Sequence, residues 1–441
     1  MRVLLIQALS MDEASAERVY PIGIVSLAAH VEHKGYQVEL LDMNVETDPF
    51  GSLKEKLLSL KPEVVAVSLR NIDPLANKTS SLIPRFIVTV RMAARLLPKA
   101  WIIAGGTGFS LFPERLMLEI PEIHYGIIGE AEISFPALLA SLEKPSSIKG
   151  LCVRKGNRVI AAPPSMEFDM KNDYLHPSRK LLDPAPYLKA NSYVPAIGIE
   201  TKRGCPYNCS YCVYPNLQGK KLRCRTPEGI VDEIEFLIKE FAIHRFHFND
   251  PIVNAPLGHL EQICEELLHR NLQIKWGGFF REDNINKENV SLFERAGCEC
   301  FAFSPDGLCQ EALDTLRKNL TEEDILKAAE HVSKSDVVSI YHFMVNVPGE
   351  TDGTVKKGIR LLERIYDIHA LKKNLGTIIL NNIRILPGTP METIALEQGV
   401  IDNDTDLLYP TYYNPKPFDK LRYKLETLHL CRNIFTWQEV R

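Results

Sequence analysis

Residues 202–212 read Lys202-Arg203-Gly204-Cys205-Pro206-Tyr207-Asn208-Cys209-Ser210-Tyr211-Cys212. Three of the chain's ten cysteines stand here, in C-x3-C-x2-C spacing. At ten cysteines in 441 residues, chance supplies about 0.005 such matches. Three thiolates on a short loop can hold three irons of a [4Fe-4S] cluster, which usually takes four cysteine ligands. A missing fourth ligand leaves one iron open to a substrate or cofactor. The competing reading is zinc. Structural zinc wants four ligands and a second pair at characteristic spacing, and only the single Cys224 follows nearby. Cys205, Cys209 and Cys212 are therefore the metal candidates. Cys152, Cys264, Cys309 and Cys431 are isolated, and Cys298 and Cys300 alternate on a strand and read as packing.

The flanking pattern places this loop. Strand candidates recur at Val194–Glu200, Arg245–Phe248, Gln273–Phe279, Glu299–Phe303, Val337–Val345 and Thr377–Ile385. Helical stretches separate them, such as Pro227–Phe241, where proline suits a helix start. Six βα units predict a full or partial barrel over 191–395. Barrel active sites lie at the carboxyl ends of the strands, and the cysteine trio falls just after the first. The basic run Lys220, Lys221, Arg223 and Arg225 beside it reads as a solvated face. Residues 396–441 form a C-terminal extension, proline-broken and then an amphipathic helix ending near Trp437.

Residues 1–145 alternate in the same way. Strands are expected at Val3–Ala8, Val38–Leu41, Glu63–Leu69, Trp101–Ala104 and Tyr125–Ile128, with helices at Ile22–Val31, Ser81–Leu96 and Ile133–Leu142. Five strands so spaced predict a doubly wound parallel sheet, whose ligands sit beyond the strands' carboxyl ends. Residues 146–190 are proline-rich and read as a linker with a small hairpin around Leu151–Ile160.

Composition sets the bounds. A chain of 441 residues makes two or three domains of roughly 100–200 residues each. Apolar residues at 45% and charged residues at 24% exclude a disordered, coiled-coil or fibrous body. The formal net charge of −4 gives no electrostatic footprint for duplex DNA or an anionic membrane. The apolar start is too short for a signal peptide, and no run approaches a membrane span. A soluble, cytoplasmic protein is expected, with neither membrane nor nucleic acid as partner.

Residues 194–395 resemble the radical S-adenosylmethionine (SAM) superfamily. Besides the cysteine loop, the resemblance rests on Phe246-His247-Phe248-Asn249-Asp250, Trp276-Gly277-Gly278-Phe279-Phe280-Arg281-Glu282-Asp283, Asn346-Val347-Pro348-Gly349-Glu350-Thr351 and Leu386-Pro387-Gly388-Thr389-Pro390, in family order. It implies that the three cysteines ligate a [4Fe-4S] cluster whose open iron takes SAM. Electron delivery, from a reductant such as flavodoxin or ferredoxin, would then release methionine and a 5′-deoxyadenosyl radical. It also implies cofactor contacts from Tyr211 (adenine), Asn249, Asp250 and Arg281 (SAM carboxylate or ribose). After the fourth strand the family often has glycine–x–glutamate, where this chain has Ser304-Pro305-Asp306-Gly307. Asp306 is thus either a ribose contact or a helix N-cap. Tyr341 and His342, on the fifth strand, are the catalytic candidates if they face the barrel.

Residues 1–145 are similar to the cobalamin-binding domain of cobalamin-dependent radical SAM enzymes, through Pro21-Ile22-Gly23-Ile24, Gly105-Gly106-Thr107-Gly108 and Gly129-Glu130-Ala131-Glu132. The cofactor candidates there are Gly105, Gly106, Thr107, Gly108, Glu130 and Arg70, whose loop would lie under the corrin. The cobalt-ligating D-x-H-x-x-G motif is absent, so histidine ligation of cobalt is not expected. The resemblance implies methylation of an unactivated carbon in a small molecule or natural product. A second resemblance, to radical SAM diol dehydratases of aminoglycoside biosynthesis, implies cobalamin-independent dehydration. A non-catalytic cobalamin or iron–sulfur sensor and an RNA-modifying enzyme are further alternatives.

Overall fold

The computed structural model describes residues 1–10, 18–74, 77–145, 147–164, 166, 168–188 and 194–430. Cys431 and Trp437, with the end of the expected tail helix, lie outside them; Leu421–Leu430 is helical. The chain divides into two compact units, Met1–Ser192 with Leu408–Pro410, and Tyr193–Leu407 with Thr411–Arg441.

The first unit is built on strands β1 (Arg2–Gln7), β2 (Gln37–Asp42), β3 (Val64–Ser68), β4 (Trp101–Gly105), β5 (Tyr125–Ile127), β6 (Leu151–Lys155) and β7 (Arg158–Ala161). Their order is β2-β1-β3-β4-β5-β6-β7, with β1 to β5 parallel. Val3, Leu4, Leu5 and Ile6 are all buried, as a strand covered on both faces by helices requires. Helices Ile22–His33, Pro49–Leu60 and Ile83–Leu96 supply that cover. Pro49–Leu60 starts where it does because the Asp48 side chain accepts from the Gly51 amide, with proline in the first turn. The order reverses at β1 and β3, the crevice where such sheets bind ligands. The hairpin β6–β7 departs from the linker expectation. It pairs antiparallel with β5, since β5 would otherwise leave an open edge, and so the first unit extends beyond 145.

The second unit contains β8 (Gly198–Ile199), β9 (Lys202–Arg203), β10 (Arg223–Cys224), β11 (Arg245–Phe248), β12 (Lys275–Phe280), β13 (Cys298–Asp306), β14 (Val338–Met344), β15 (Leu375–Asn381), β16 (Ile383–Arg384) and β17 (Tyr412–Tyr413). Six of these form one parallel sheet in chain order, β8-β11-β12-β13-β14-β15. This is the partial (βα)6 barrel expected, with β8 and β15 at its two edges. The first strand is shorter than the expected Val194–Glu200; only Gly198–Ile199 pairs. Among the described residues no helix is long and apolar enough to cross a membrane.

Trp276 anchors the layer between sheet and helices. Its ring lies 5.0 Å from Phe248 and 6.1 Å from Phe293, and its indole N–H donates to the Ala296 carbonyl at 2.9 Å. A Trp276→Ala substitution is expected to destabilise the barrel unit by about 3–5 kcal/mol, read in its urea unfolding transition; a loss under about 1 kcal/mol would show the layer does not depend on it.

Candidate active site

The cysteine loop begins where β8 ends, and Asp250 ties it down. Asp250 lies beyond the end of β11 and accepts from the Thr201 amide at 2.9 Å, the Thr201 hydroxyl at 2.5 Å and the Lys202 amide at 3.1 Å. Its carboxylate also pairs with the Lys202 ammonium at 3.3 Å, both side chains fully buried. Lys202 Nζ donates onward to the Val253 carbonyl at 2.6 Å. Asp250 is thus placed within the scaffold of the loop. Asn249 packs its amide against Gly198, where a Cβ would come within 2.0 Å of Nδ2.

The loop then turns at Gly204, φ +93°, where a Cβ would meet the Lys221 carbonyl at 2.2 Å. Only glycine fits there. Three backbone bonds hold the loop beyond this turn: Cys205 N–H to Gly219 O at 3.0 Å, Ser210 N–H to Leu316 O at 2.9 Å and Met391 N–H to Ser210 O at 2.9 Å. Of the adjacent basic run, Lys220 and Lys221 are exposed as expected. Arg225 is not: it is buried and pairs with Glu233 at 2.7 Å, because a helix packs directly on it.

Burial pushes all three thiols up, Cys212 to about 12, and the Lys318 ammonium pulls each back down. Tyr211 donates its hydroxyl to Asp306. Lys318 Nζ donates to the same Asp306 oxygen at 2.7 Å and to the Tyr211 hydroxyl at 3.3 Å. Burial would lower Lys318, but Asp306, Cys209 and Glu282 together outweigh it and hold the ammonium protonated. The helix-cap alternative for Asp306 fails: the next helix is Gln310–Thr315, with Cys309 at its N-cap position. Arg281 is buried, stacks its guanidinium 3.7 Å over the Tyr207 ring, pairs with Asp283 at 2.9 Å and donates to Asn319 O at 2.7 Å.

These residues fit an iron–sulfur cluster. Three thiols share one loop beside two buried cations, which offset the charge that thiolates bring. Among the described residues no three His, Cys, Asp or Glu side chains converge on one metal ion. A cubane asks for no such convergence, because each thiolate binds a different iron.

On β14 the two catalytic candidates part company. Tyr341 is fully buried and faces the helix layer, its hydroxyl 2.9 Å from His369 Nε2. It does not face the barrel, and its place is structural. Alternation sends His342 to the other face, against Phe279 at 5.8 Å, which in turn meets His247 at 5.8 Å. Burial lowers the His342 pKa, so the ring is neutral near pH 7, and its buried Nε2 has no protein partner. Glu350 accepts from the Thr354 hydroxyl at the start of helix Asp352–His369, whose N-cap is Thr351.

Two residues given no role from sequence belong here: Lys318 and Glu282. Glu282 is buried with Oε1 unpartnered, and burial pushes its carboxyl up to about 7 against the pull of Lys318. Lys318 comes after a helix at no motif spacing, so no sequence signal marks it.

In the first unit the expected residues meet at the carboxyl ends of β3 and β4. The Leu69 amide donates to Gly105 O at 2.8 Å, the Gly108 amide to Arg70 O at 2.9 Å and the Thr107 hydroxyl to Arg70 O at 2.5 Å. A Cβ on Gly106, φ +98°, would strike Leu69 O at 2.5 Å. The glycines thus serve first to dock two loops together. Arg70 and Thr107 remain exposed on that edge, which suits a flat ligand with polar rims. Glu130 is buried beyond β5.

Residues 199–362 match the family described as the Radical SAM superfamily, and residues 13–139 match the B12 binding domain. The chain is 24% identical over 409 residues to an uncharacterized methyltransferase of Pyrococcus horikoshii, spanning 91% of this chain and 84% of that one. It is 25% identical over 359 residues to the anaerobic magnesium-protoporphyrin IX monomethyl ester cyclase of Cereibacter sphaeroides, spanning 77% of this chain but 56% of the cyclase. Its fold matches the radical S-adenosylmethionine methyltransferase TsrM of Kitasatospora setae, solved with cobalamin and a [4Fe-4S] cluster, at TM-score 0.78 and 23% identity over 93% of this chain and 82% of that one. The same methyltransferase was also solved with tryptophan substrate and a SAM analogue, at TM-score 0.74 and 22% identity over 94% and 80% of the chains. The chain thus carries a radical SAM domain over residues 199–362, with a B12 binding domain ahead of it over residues 13–139.

Proposed function

We propose that the chain is a cobalamin-dependent methylase that transfers the methyl group of SAM to an unactivated carbon of a small molecule. The observation that carries this is the pairing in one chain of the cysteine loop, held beside buried Lys318 and Arg281, with an N-terminal sheet of the B12-binding order. Relatives that are methyltransferases support it. Dehydration of an aminoglycoside diol has no comparable support, and a non-catalytic sensor would not need the SAM-cleaving barrel.

When bound, the cluster supplies a low-potential electron and the corrin a carrier for the methyl group. The chain's own residues do the rest. Cys205, Cys209 and Cys212 would hold three irons. Tyr211, fixed by Asp306, and Arg281, fixed by Asp283 and Asn319, would border SAM; Asn249 and Asp250 act one step back, by holding the loop. The segment at Arg70, Gly105, Gly106, Thr107 and Gly108 would carry the corrin, with Glu130 behind it. His342, neutral and unpartnered at Nε2, is the interior group placed to take or give a proton at the substrate. A small flavodoxin or ferredoxin would serve as reductant, and a reducing cytoplasm suits free thiols and iron–sulfur chemistry.

Three outcomes test this. Cys209→Ala should lose the cluster's visible absorbance and all 5′-deoxyadenosine formation; unchanged formation would sink the radical SAM assignment. Methylation converts SAM to S-adenosylhomocysteine, whereas dehydration does not. The anaerobically reconstituted chain should release S-adenosylhomocysteine only when hydroxocobalamin has been loaded, and 5′-deoxyadenosine without it would favour the dehydratase instead. His342→Phe should keep cluster content while slowing methyl transfer at least about tenfold, against the usual 10²–10⁴ for a proton-transfer group.

A further inference from the structure

Lys318 has no role in any motif, yet the geometry around it is over-determined. It is buried, as is Asp306. Its neighbours Arg317 and Asn319 both take left-handed backbone, φ 54° and 51°, and so does Asp306, φ 62°. Arg317 closes helix Gln310–Thr315 in the ordinary way, its amide donating to Asp314 O and the Lys318 amide to Leu313 O, both at 3.0 Å. Beyond that turn the segment is held against the cysteine loop. Leu316 accepts from the Ser210 amide at 2.9 Å, Asn319 accepts from Arg281 at 2.7 Å, and Lys318 reaches Tyr211 and Asp306. Residues 316–319 therefore grip the loop at both of its tyrosines, directly at Tyr211 and through Arg281 at Tyr207.

The charge matters as much as the grip. The Lys318 ammonium lies 6.0 Å from the centre of the Tyr211 ring, and Tyr211 stands between Cys209 and Cys212 in the loop. Cluster potentials depend on net charge, hydrogen bonds and solvent exposure. A nearby buried cation favours the reduced, more negative cluster, and a nearby carboxylate opposes it.

We propose that Lys318 is a positioning residue that raises the reduction potential of the cluster held by the cysteine trio, with Asp306 as its moderating partner. The inference rests on the trio holding a [4Fe-4S] cluster. It assigns the segment Leu316–Asn319 a task beyond folding: easing entry of the electron that starts turnover.

The test is a redox titration of the anaerobically reconstituted full chain at pH 8, without SAM, monitored by electron paramagnetic resonance. Lys318→Met should make reduction at least tenfold less favourable, a downward shift of 59 mV for one electron. Asp306→Asn should shift the potential upward. Lys318→Arg, which keeps the charge, should stay near the wild type. Opposite signs for the first two variants separate field from damage, since a brace that is merely loosened moves both the same way. Unmoved potentials, shifts of the same sign, or loss of the cluster in all three variants would overturn the proposal. A wild-type chain that takes up no cluster would instead overturn the functional reading, and this inference with it.

Discussion

Between Thr201 and Cys212 the backbone leaves the sheet, and the site depends on how that irregular stretch is held. The decisive contact is Asp250 beneath it, which collects two amides, a hydroxyl and an ammonium at the loop's root. Removing one partner from such a buried pair typically costs about 3–5 kcal/mol. The loop is then pinned farther along by Leu316 and Met391. Three thiols are in this way presented from a segment with almost no regular structure of its own. Irregular backbone is tolerated in a barrel mouth when each amide has somewhere to go, and here many go to side chains and loops of the same unit.

The second constraint is charge. Thiolates are costly to bury, and burial raises all three cysteines. The unit answers with buried Lys318 and Arg281, each tethered by an aspartate, Asp306 and Asp283. Tethering keeps the cations from collapsing onto the thiols and fixes the tyrosines on either side of Cys209. Metal binding must displace the thiol protons, and a site with fixed positive charge lowers that cost. The first unit solves a different problem by similar means. There the glycines allow two loop backbones to touch, and the exposed Arg70 and Thr107 are left at the strand ends.

Much of this is legible in the residues. The parallel strands show because buried βα strands are short apolar runs, as in Val3–Ile6, and glycine and proline punctuate the turns between. The cysteine loop shows because its spacing is too specific to arise by chance. The β6–β7 hairpin is visible in the sequence but its partner is not, since antiparallel addition to a sheet edge leaves no mark in local pattern. Tyr341 and His342 look like a pair, although strand alternation separates them: one meets His369 in the helix layer, the other Phe279 inside. Asp250 looks like a ligand contact because polar residues at barrel strand ends often are; its partners at Thr201 and Lys202 are distant in sequence and invisible to local pattern. Lys318 and Glu282 are silent for the same reason. Their neighbours Asp306 and Tyr211 come from other segments, and only the fold brings them together.

The central claim is that this one chain carries two metal cofactors, a cubane on the cysteine loop and a corrin on the first unit's sheet. The direct measurement is iron, acid-labile sulfide and corrin content after anaerobic reconstitution with hydroxocobalamin and gel filtration. The account predicts the iron and sulfide of one [4Fe-4S] cluster and one corrin per chain. Zinc in place of iron, or a chain that emerges with the cluster but without corrin, would contradict it.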